Sequence, residues 1–292
     1  MEKLLRETKP RGSFLFPFEL YHTEDSLGTY YVSPHWHQDL EIIHLQKGQI
    51  QLFIDGVSYQ PAENTIIFIN REELHHLNCL APGVLYDALV FPLEFLSFDT
   101  LDYCQQKYLL PLIQKHLVFP RFINSGHPCY APIKQQLEEI EKLHTTFPLG
   151  YQLATKTALF QILTCLVQQN CLIAAADSVM PLNSKKVNLL REVSTYLENQ
   201  VIPKISLEEA AAHFYMSPNY FCKFFKKNFG CTYTNYLNRL RLEKACRMLT
   251  DTALPIMEIS LLCGFDNLSY FNRLFREKKG VTPSEYRRQI AL

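Results

Sequence analysis

The chain lacks any apolar stretch long enough to cross a bilayer. Its longest, around Cys171 to Ala176, is far shorter than the roughly twenty residues that a membrane-spanning helix needs. The first residues, which include Glu2, Lys3 and Arg6, also lack the apolar core of a secretory signal peptide. These absences argue against a membrane protein and a secreted one, so we expect a cytoplasmic protein.

Paired cysteine motifs are also missing. The nine cysteines are scattered and none forms a Cys-x-x-Cys pattern, which argues against a zinc ribbon and a thioredoxin-like redox motif. Several occupy apolar positions of predicted helices, where a thiol packs as a small hydrophobic group. We therefore expect reduced structural cysteines, as is usual in the cytoplasm.

The chain has no net charge, but its charges are unevenly distributed. From Asn183 onward, Lys and Arg number 17 against 10 Asp and Glu, whereas the preceding residues carry 12 against 19. A length of 292 residues is typical of two domains. A basic C-terminal part behind an acidic N-terminal part predicts one nucleic-acid-binding domain and one domain with another task.

The C-terminal part contains one sequence pattern twice. At an offset of fifty residues, the pairs that coincide are Glu208 and Glu258, Tyr220 and Tyr270, Phe221 and Phe271, Phe225 and Phe275, Gly230 and Gly280, Thr232 and Thr282, and Tyr236 and Tyr286. A match at a fixed offset indicates a duplicated supersecondary unit, and two copies are too few for a solenoid.

Each copy predicts a helix, a tight turn and a second helix. In the first copy, Ser206 begins a capping box for the first helix. Ser217, followed by a proline, is the expected N-cap of the second helix, which ends at Gly230. In the second copy, Asn267 is the expected cap and Gly280 the expected end. This order is the helix-turn-helix pattern. Basic side chains lie off the apolar stripe of each second helix, which suits a DNA groove.

A predicted helix from Thr232 to Thr250 joins the two copies. At about 1.5 Å per residue it spans roughly 28 Å. Successive major grooves on one face of DNA lie roughly 34 Å apart. A rigid connector of this length predicts two recognition helices in neighbouring grooves of one site.

Residues 184–290 resemble the DNA-binding domain of the AraC/XylS family of bacterial transcription regulators. The motifs that carry the resemblance are Ser217-Pro218-x-Tyr220-Phe221-x-x-x-Phe225-Lys226-Lys227, Arg241-Leu242-x-x-Ala245, Gly264-Phe265-Asp266-x-x-Ser269-Tyr270-Phe271-x-Arg273-x-Phe275-Arg276 and Gly280-x-Thr282-Pro283-x-x-Tyr286-Arg287. One departure is the first turn, which lacks the glycine that the family often has. Tyr215 or a neighbour must therefore form that bend.

The resemblance implies which side chains contact DNA. Base contacts are expected from Asn219, Cys222, Lys223, Ser269, Asn272 and Arg273. Phosphate contacts are expected from Lys226, Lys227, Arg276 and Lys278. The alternative for each of these charges is a solvated helix face. The aromatic residues expected in the core are Tyr220, Phe221, Phe225, Phe271 and Phe275.

The N-terminal part predicts a series of short strands. They are expected at residues 40–45, 49–54, 57–60, 65–69 and 84–91, and Asp55-Gly56 is a strong hairpin signal. Residues Ser13–Leu20, with three alternating phenylalanines, predict a further strand or an arm that lies on this domain. Many short strands with regular turns are typical of a sandwich or a small barrel.

Polar residues within these strands resemble those of the cupin barrel. His35, His37 and Glu41 form its first motif, and their parity predicts that they share one side of a strand. His75 and His76 follow in a predicted loop. AraC/XylS regulators often carry such a barrel, so the resemblance implies an effector pocket lined by these five residues.

The second cupin motif departs from the family pattern at Asn64, where glycine is usual. Two alternatives to an organic effector remain open. One is a divalent metal ion, for which the candidate ligands are His35, His37, Glu41 and His75. The other is a histidine cluster with only a structural role.

Helical patterns follow the strands, at residues 102–116, 133–144 and 151–173. The apolar stripe of the last contains Leu153, Leu159, Ile162, Leu163 and Leu166. We predict a cupin-like domain at 1–125, a helical dimerisation segment at 126–176, a linker at 177–184 and a DNA-binding domain at 185–292. The predicted fold class is two-domain α+β, with an N-terminal cupin-like β-barrel and following helices, then an all-α domain of two helix-turn-helix units joined by a linker helix.

These patterns predict a sequence-specific DNA-binding transcription regulator. Its DNA binding or activation is expected to respond to a small-molecule effector in the barrel, and the resemblance implies a sugar or other metabolite. The expected partners are double-stranded DNA, the effector and a second copy of the chain, with RNA polymerase as a further candidate. We expect no enzymatic activity, no cofactor and no membrane partner. The alternative is a metal-dependent cupin enzyme or a metal sensor fused to a DNA-binding domain.

Overall fold

The N-terminal part of the chain is a β-barrel of two facing sheets. The computed structural model describes residues 7, 11–175, 184–199 and 205–290. The strands are β1 (Glu19–Asp25), β2 (Tyr31–His35), β3 (Leu40–Lys47), β4 (Ile50–Ile54), β5 (Val57–Tyr59), β6 (Thr65–Ile69), β7 (His75–Cys79), β8 (Val84–Phe91), β9 (Leu117–Val118) and β10 (Phe122–Asn124). One sheet has the order β1-β8-β3-β6-β10 and the other β2-β7-β4-β5, and all neighbouring strands pair antiparallel.

The strands at residues 40–45, 49–54, 57–60, 65–69 and 84–91 are confirmed, with shifts of one or two residues in three of them. The hairpin signal between β4 and β5 is confirmed as well. Asp55 and Gly56 have φ angles of 48° and 77°, the left-handed pair that a type I′ turn requires. Asn64, which stands where the cupin pattern has glycine, also has a positive φ, of 58°.

One prediction about this domain is wrong, because His75 and His76 lie in strand β7 and not in a loop. For Ser13–Leu20 the structure favours the arm over the strand. Ser13 to Phe16 is a turn closed by two backbone hydrogen bonds, and Phe16 and Phe18 pack on the core of the domain. Phe14 is consequently 98% exposed, whereas Phe18 packs in the core before β1 begins.

Helices cover the outer face of the five-stranded sheet. A 3₁₀ turn (Leu93–Leu96) and a π-helical turn (Gln105–Leu109) lead into α1 (Leu110–Ile113). The later elements of this part are α2 (Tyr130–Thr146), α3 (Tyr151–Gln168) and strand β11 (Ile173–Ala174). Four of the five predicted stripe residues of α3 are buried in this layer, but Leu153 is 73% exposed. The predicted boundary after residue 125 falls between β10 and α2.

The C-terminal part is all-helical, which confirms the predicted fold class. Its helices are α4 (Ser184–Asn199), α5 (Leu207–His213), α6 (Pro218–Phe229), α7 (Tyr233–Asp251), α8 (Ile256–Leu262), α9 (Leu268–Lys279) and α10 (Pro283–Ile290). The predicted capping box at Ser206 is present, and Ser217 and Asn267 each accept the expected backbone hydrogen bond. Gly230 and Gly280 end α6 and α9 in the left-handed conformation. The predicted linker lies, except for Ser184, outside the described residues.

The two helix-turn-helix bends use the same backbone geometry with different residues. After α5, the amide of Met216 donates to the carbonyl of Ala211 and that of Tyr215 to Ala212. After α8, the backbone amides of Phe265 and Gly264 donate the corresponding hydrogen bonds. Both are Schellman ends, which need a left-handed residue. Gly264 supplies it in the second turn, and Tyr215, with φ 55°, supplies it in the first, as the missing glycine predicts.

The cores of the two units are aromatic. Phe221, Phe225, Phe271 and Phe275 are fully buried, as predicted. Tyr220 is 59% exposed, so its predicted place in the core is wrong. Among the described residues, none of the helices combines the length and the apolarity needed to cross a membrane.

Candidate effector site and DNA-binding face

Three separate segments bring the predicted polar residues of the barrel together. Glu41 lies on β3 with the same parity as Ile43 and Leu45, which point into the barrel. His75 on β7 pairs with His35 on β2. The register of this strand pair shifts between Val32 and His35. His37 lies in the connection between β2 and β3. The expectation that residues 35, 37 and 41 share one strand is therefore wrong, although their side chains do meet.

These four residues form a compact, mostly buried group, which we call the histidine cluster (His35, His37, Glu41 and His75). Their nearest ligand atoms all lie within 4.8 Å of one another. Glu41 Oε2 is 3.2 Å from His37 Nε2 and 3.0 Å from His75 Nε2. Glu7 approaches from the N-terminal segment, with its carboxylate 3.5 Å from His35 Nε2 and ion-paired to Arg11.

The cluster is built to hold a negative charge on Glu41. Burial opposes ionisation, but hydrogen bonding and charge interactions with His37 and His75 outweigh it and hold the pKa of Glu41 well below its usual range. The pKa of His75 is raised, because the neighbouring carboxylate offsets the effect of burial. Burial, together with the nearby His75, lowers the pKa of His35 to about 3.

His76 does not belong to this cluster, contrary to the expectation of a five-residue pocket. Successive residues of a strand point to opposite faces, so His75 points into the barrel and His76 points outward. The His76 ring stacks on Phe53 at 4.3 Å between centroids and lies 6.2 Å from the ring of Phe229 on α6. Burial in this apolar contact, with His75 nearby, lowers the pKa of His76 to about 3.

The outer face of the four-stranded sheet is covered by the DNA-binding domain. Arg239 on α7 makes the main polar contact: its guanidinium lies 4.0 Å from the centroid of the Tyr31 ring and donates to Asn78 Oδ1 at 3.2 Å. Leu74 is buried within the hydrophobic cluster of the first helix-turn-helix unit, and Trp36 packs against that cluster. We call this contact the docking face (Tyr31, Trp36, Phe53, Leu74, His76 and Asn78 of the barrel).

The C-terminal ends of both recognition helices lie at the barrel. At Gly230, which ends α6, an added Cβ atom would lie 2.7 Å from Phe53 Cε2 and 2.8 Å from Asn78 Nδ2. Near the end of α9, the hydroxyl of Thr29 donates to the carbonyl of Lys278 at 3.3 Å. The N-terminal residues of these helices, which are predicted to lie at the DNA, are exposed.

Most of the predicted DNA-contacting residues are exposed on α6 and α9. The exposed ones are Asn219, Cys222, Lys223, Lys226, Lys227, Ser269, Arg273 and Arg276. Asn272 is half-buried, and Arg273 lies 5.6 Å from the centroid of the Tyr270 ring. Lys278 is half-buried, pairs with Glu277 and lies beside the barrel, which is a poorer position for a phosphate contact. The individual base and phosphate contacts stay predictions.

Sequence reasoning missed the residues of the docking face, together with Arg239, Gly230 and Glu7. One signal was present. Strand β4 carries Phe53 on the face opposite its aliphatic residues. A strand that is apolar on both faces is covered on both faces. The identity of the covering domain was not contained in that pattern.

Comparison with known proteins agrees with this two-part architecture. A family model described as a helix-turn-helix domain matches residues 210–289, and one described as an AraC-like ligand binding domain matches residues 17–108. The transcriptional regulator YdiP of Escherichia coli K12 is 27% identical over 86% of this chain and 79% of its own length. The transcriptional activator RhaS of Enterobacter sp. 638 is 25% identical over 87% of this chain and 86% of its own length.

Other similarities cover about a third of this chain. The regulator YijO of Escherichia coli K12 is 37% identical over 36% of this chain, and the match spans 38% of YijO. The C-terminal domain of the response regulator yesN from Fusobacterium nucleatum is 31% identical over 34% of this chain and 98% of that structure, with a TM-score of 0.33. With matches to both domains in chain order and to regulators over most of their length, this chain belongs to the AraC family of DNA-binding transcription regulators.

Proposed function

We propose that this regulator passes a signal from the histidine cluster of the barrel to the first helix-turn-helix unit through strand β7. The observation that supports the proposal is the position of two neighbouring residues. His75 is part of the cluster, and His76 packs on Phe53 and near Phe229 at the end of α6. A ligand that moves β7 therefore changes the surface on which the DNA-binding domain rests.

The DNA-contacting residues are those of the two recognition helices. Asn219, Cys222 and Lys223 in α6, with Ser269, Asn272 and Arg273 in α9, read bases, whereas Lys226, Lys227 and Arg276 bind phosphates. Eight of these nine side chains are exposed while the domain is docked, so the docked arrangement leaves the reading surface accessible. The barrel then acts on DNA binding by fixing how the helix-turn-helix units are held and not by covering them.

The protein acts as a cytoplasmic homodimer and has no enzymatic activity of its own. Leu149 and Leu153, large apolar residues at the start of α3, are exposed, which supports self-association through the helical segment at residues 126–176. RNA polymerase is a further partner where the protein activates transcription. The relatives that match over most of this chain are transcription regulators.

Arg239 gives the direct test of coupling between the domains. Its contacts with Tyr31 and Asn78 together stabilise docking by about 2 kcal/mol, or roughly thirty-fold in the docked fraction. Arg247, on the same helix, is exposed, so Arg247→Ala removes the same charge without touching the docking face. The operator is first selected from random duplexes with the full chain, and binding is then titrated for both variants.

We expect selection of a two-part site with a centre-to-centre spacing of about one helical turn. We also expect the affinities of Arg239→Ala and Arg247→Ala for that site to differ by up to about thirty-fold. Equal affinities would show that docking has no influence on DNA binding. A failure to enrich any sequence would contradict the assignment of the reading residues.

A further inference from the structure

Two cysteines of the helical layer lie with their sulfur atoms in contact. Cys129 is the N-cap residue of α2, and Cys171 follows the end of α3. Residues 147–150 connect these helices as a short turn, so the start of α2 and the end of α3 lie side by side. The two Sγ atoms are 3.6 Å apart, which is van der Waals contact without a bond.

The backbone at the end of α3 places Cys171 at this contact. The amide of Cys171 donates to the carbonyl of Leu166 at 2.9 Å, and that of Asn170 donates to Val167 at 3.1 Å. With Asn170 at a φ of 51°, this is a Schellman end, which turns the chain back over the last turn of the helix. Cys171 is half-buried, whereas Cys129 is fully buried, so Cys171 is the thiol that a reagent in solution reaches.

His127 lies beside the pair in a defined tautomer. The backbone amide of Cys129 donates to His127 Nδ1 at 3.1 Å. An amide N–H only donates, so Nδ1 carries the lone pair and the hydrogen of the neutral ring is on Nε2. His127 Nε2 is 3.9 Å from Cys171 Sγ. A donor at the sulfur favours the thiolate, which is the form of cysteine that reacts with oxidants.

The same tautomer argues against a metal ion at this place. The ligand atoms of His127, Cys129 and Cys171 all lie within 4.8 Å of one another, which is close enough for one ion. A metal-bound imidazole nitrogen needs a free lone pair, but Nδ1 accepts the amide and Nε2 carries the hydrogen. Burial, with the neighbouring Cys171, raises the pKa of the Cys129 thiol and so opposes the thiolate that a metal requires.

We propose that Cys171 and Cys129 are a redox-sensitive pair which hydrogen peroxide converts to a disulfide, and that this disulfide is a second input to the regulator. Cys171 Sγ attacks one peroxide oxygen as the O–O bond breaks, and the released hydroxide takes up the proton of the Cys171 thiol. Cys129 Sγ then attacks the sulfur of the Cys171 sulfenic acid. The S–O bond breaks, and the hydroxide leaves with the proton of the Cys129 thiol as a second water. The two sulfur atoms supply the two electrons that reduce the peroxide.

Formation of the bond displaces the segment that leads out of the N-terminal part. A disulfide bond is about 2.05 Å long, so the sulfur atoms must approach by about 1.6 Å. Cys171 lies in a connection and not in a helix, so it is the residue that moves. Strand β11 follows and pairs with β9, and the amide of Ala175 donates to the carbonyl of His116. The chain continues from Ala175 towards α4, so the displacement acts on the connection to the DNA-binding domain. This second half of the proposal rests on the proposed function.

Cys165 provides a matched control. It is half-buried like Cys171, it lies on α3, and its carbonyl oxygen is 3.9 Å from Cys129 Sγ. Cys171→Ser removes the proposed partner of Cys129, and Cys165→Ser removes the other neighbouring thiol. The full chain is treated with hydrogen peroxide, and tandem mass spectrometry of its proteolytic fragments locates the disulfide. The wild type alone gives the assignment if a variant does not fold, which circular dichroism identifies.

We expect a disulfide between Cys129 and Cys171 in the wild type and in Cys165→Ser, and none in Cys171→Ser. It should form at peroxide concentrations that leave the exposed Cys104 unmodified, and dithiothreitol should restore both thiols. A bond to Cys165, oxidation of Cys104 while the pair stays reduced, or oxidation that dithiothreitol does not reverse overturns the proposal. Thiolate-to-cobalt charge-transfer bands on titration of the reduced chain with Co²⁺, if Cys171→Ser removes them, would show a metal site and also overturn it.

The regulatory role is tested on the selected operator with the oxidised and the reduced chain. We expect their affinities to differ at least fivefold in the wild type and in Cys165→Ser, and to be equal in Cys171→Ser. A difference that persists in Cys171→Ser would come from another thiol, such as the exposed Cys222 of α6, and would overturn the regulatory role. Equal affinities of the oxidised and reduced wild type would do the same. Locating the disulfide needs no DNA, so its outcome is independent of whether an operator is enriched.

Discussion

Replacing Gly230 with alanine tests the docking of the two domains with an internal control. Gly230 and Gly280 end equivalent helices with φ angles of 67° and 75°, so alanine costs about 1–2 kcal/mol of left-handed strain at either. Only at Gly230 does the new methyl group also meet the barrel, at 2.7 Å from Phe53. The ring of Phe53 is buried against His76 and has no room to move. Overpacking of this kind costs about 1–3 kcal/mol.

At Gly280 the corresponding contact is with the terminal methyl of Leu27, at 3.2 Å. Leu27 is half-exposed and can rotate away. Gly230→Ala should therefore lower the free energy of unfolding by about 1–3 kcal/mol more than Gly280→Ala does. The chain can also avoid the clash by undocking, in which case the extra loss equals the free energy of docking.

Trp36 makes both outcomes measurable. It is the only tryptophan of the chain and packs against the first helix-turn-helix unit. Undocking should shift its fluorescence emission to longer wavelength in Gly230→Ala and leave it unchanged in Gly280→Ala. Denaturant titrations of both variants give the unfolding free energies. If the two variants lose the same stability and keep the emission of the wild type, the docked arrangement does not exist in solution.

Four further changes have defined outcomes. Tyr215→Gly should raise stability by up to about 1 kcal/mol in denaturant titrations, because glycine relieves the left-handed strain of an exposed residue; a loss would show that Tyr215 makes a stabilising contact. Arg273→Ala should weaken binding to the selected operator by about 1–3 kcal/mol and relax one base position in gel shifts, whereas an equal loss on every sequence would reject a base contact. Lys226→Ala should lower the slope of log affinity against log salt by about one, and an unchanged slope excludes its phosphate contact. Backbone and side-chain hydrogen bonds from Ser206 lower the pKa of Glu209, so its stabilising effect is present above the unfolded-state pKa and is lost as pH falls through the folded-state value. Glu209→Gln should therefore melt below the wild type at neutral pH and coincide with it in acid.

The helix-turn-helix units were predictable because their signals are local. A serine cap, a proline after it and a glycine at the end act on the few residues around them. The missing glycine of the first turn even indicated where the backbone is strained, and Tyr215 adopts the left-handed conformation there. Tyr220 was misplaced because the aromatic pattern alone does not show which side of α6 the rest of the domain covers.

The histidine cluster was predictable only in composition. Parity placed residues 35, 37 and 41 on one strand, but His37 lies in a connection and the register before His35 shifts. His75 and His76 were assigned to a loop because the polar residues of β7 suggest exposure, whereas the strand is buried at every position. Such a strand becomes recognisable only when both covering layers are known, and one of them is a domain more than a hundred residues later in the chain.

Strand β7 contacts a different group of residues on each of its faces. One face supplies His75 to the histidine cluster, and the other supplies His76 and Asn78, which contact α6 and Arg239. A ligand shifts an equilibrium only if it binds one arrangement better than the other. Because closely packed layers do not deform continuously, a ligand that moved the cluster would change the packing at the docking face. The two halves of the molecule thus share one strand, and coupling between them requires no rearrangement of the reading surface.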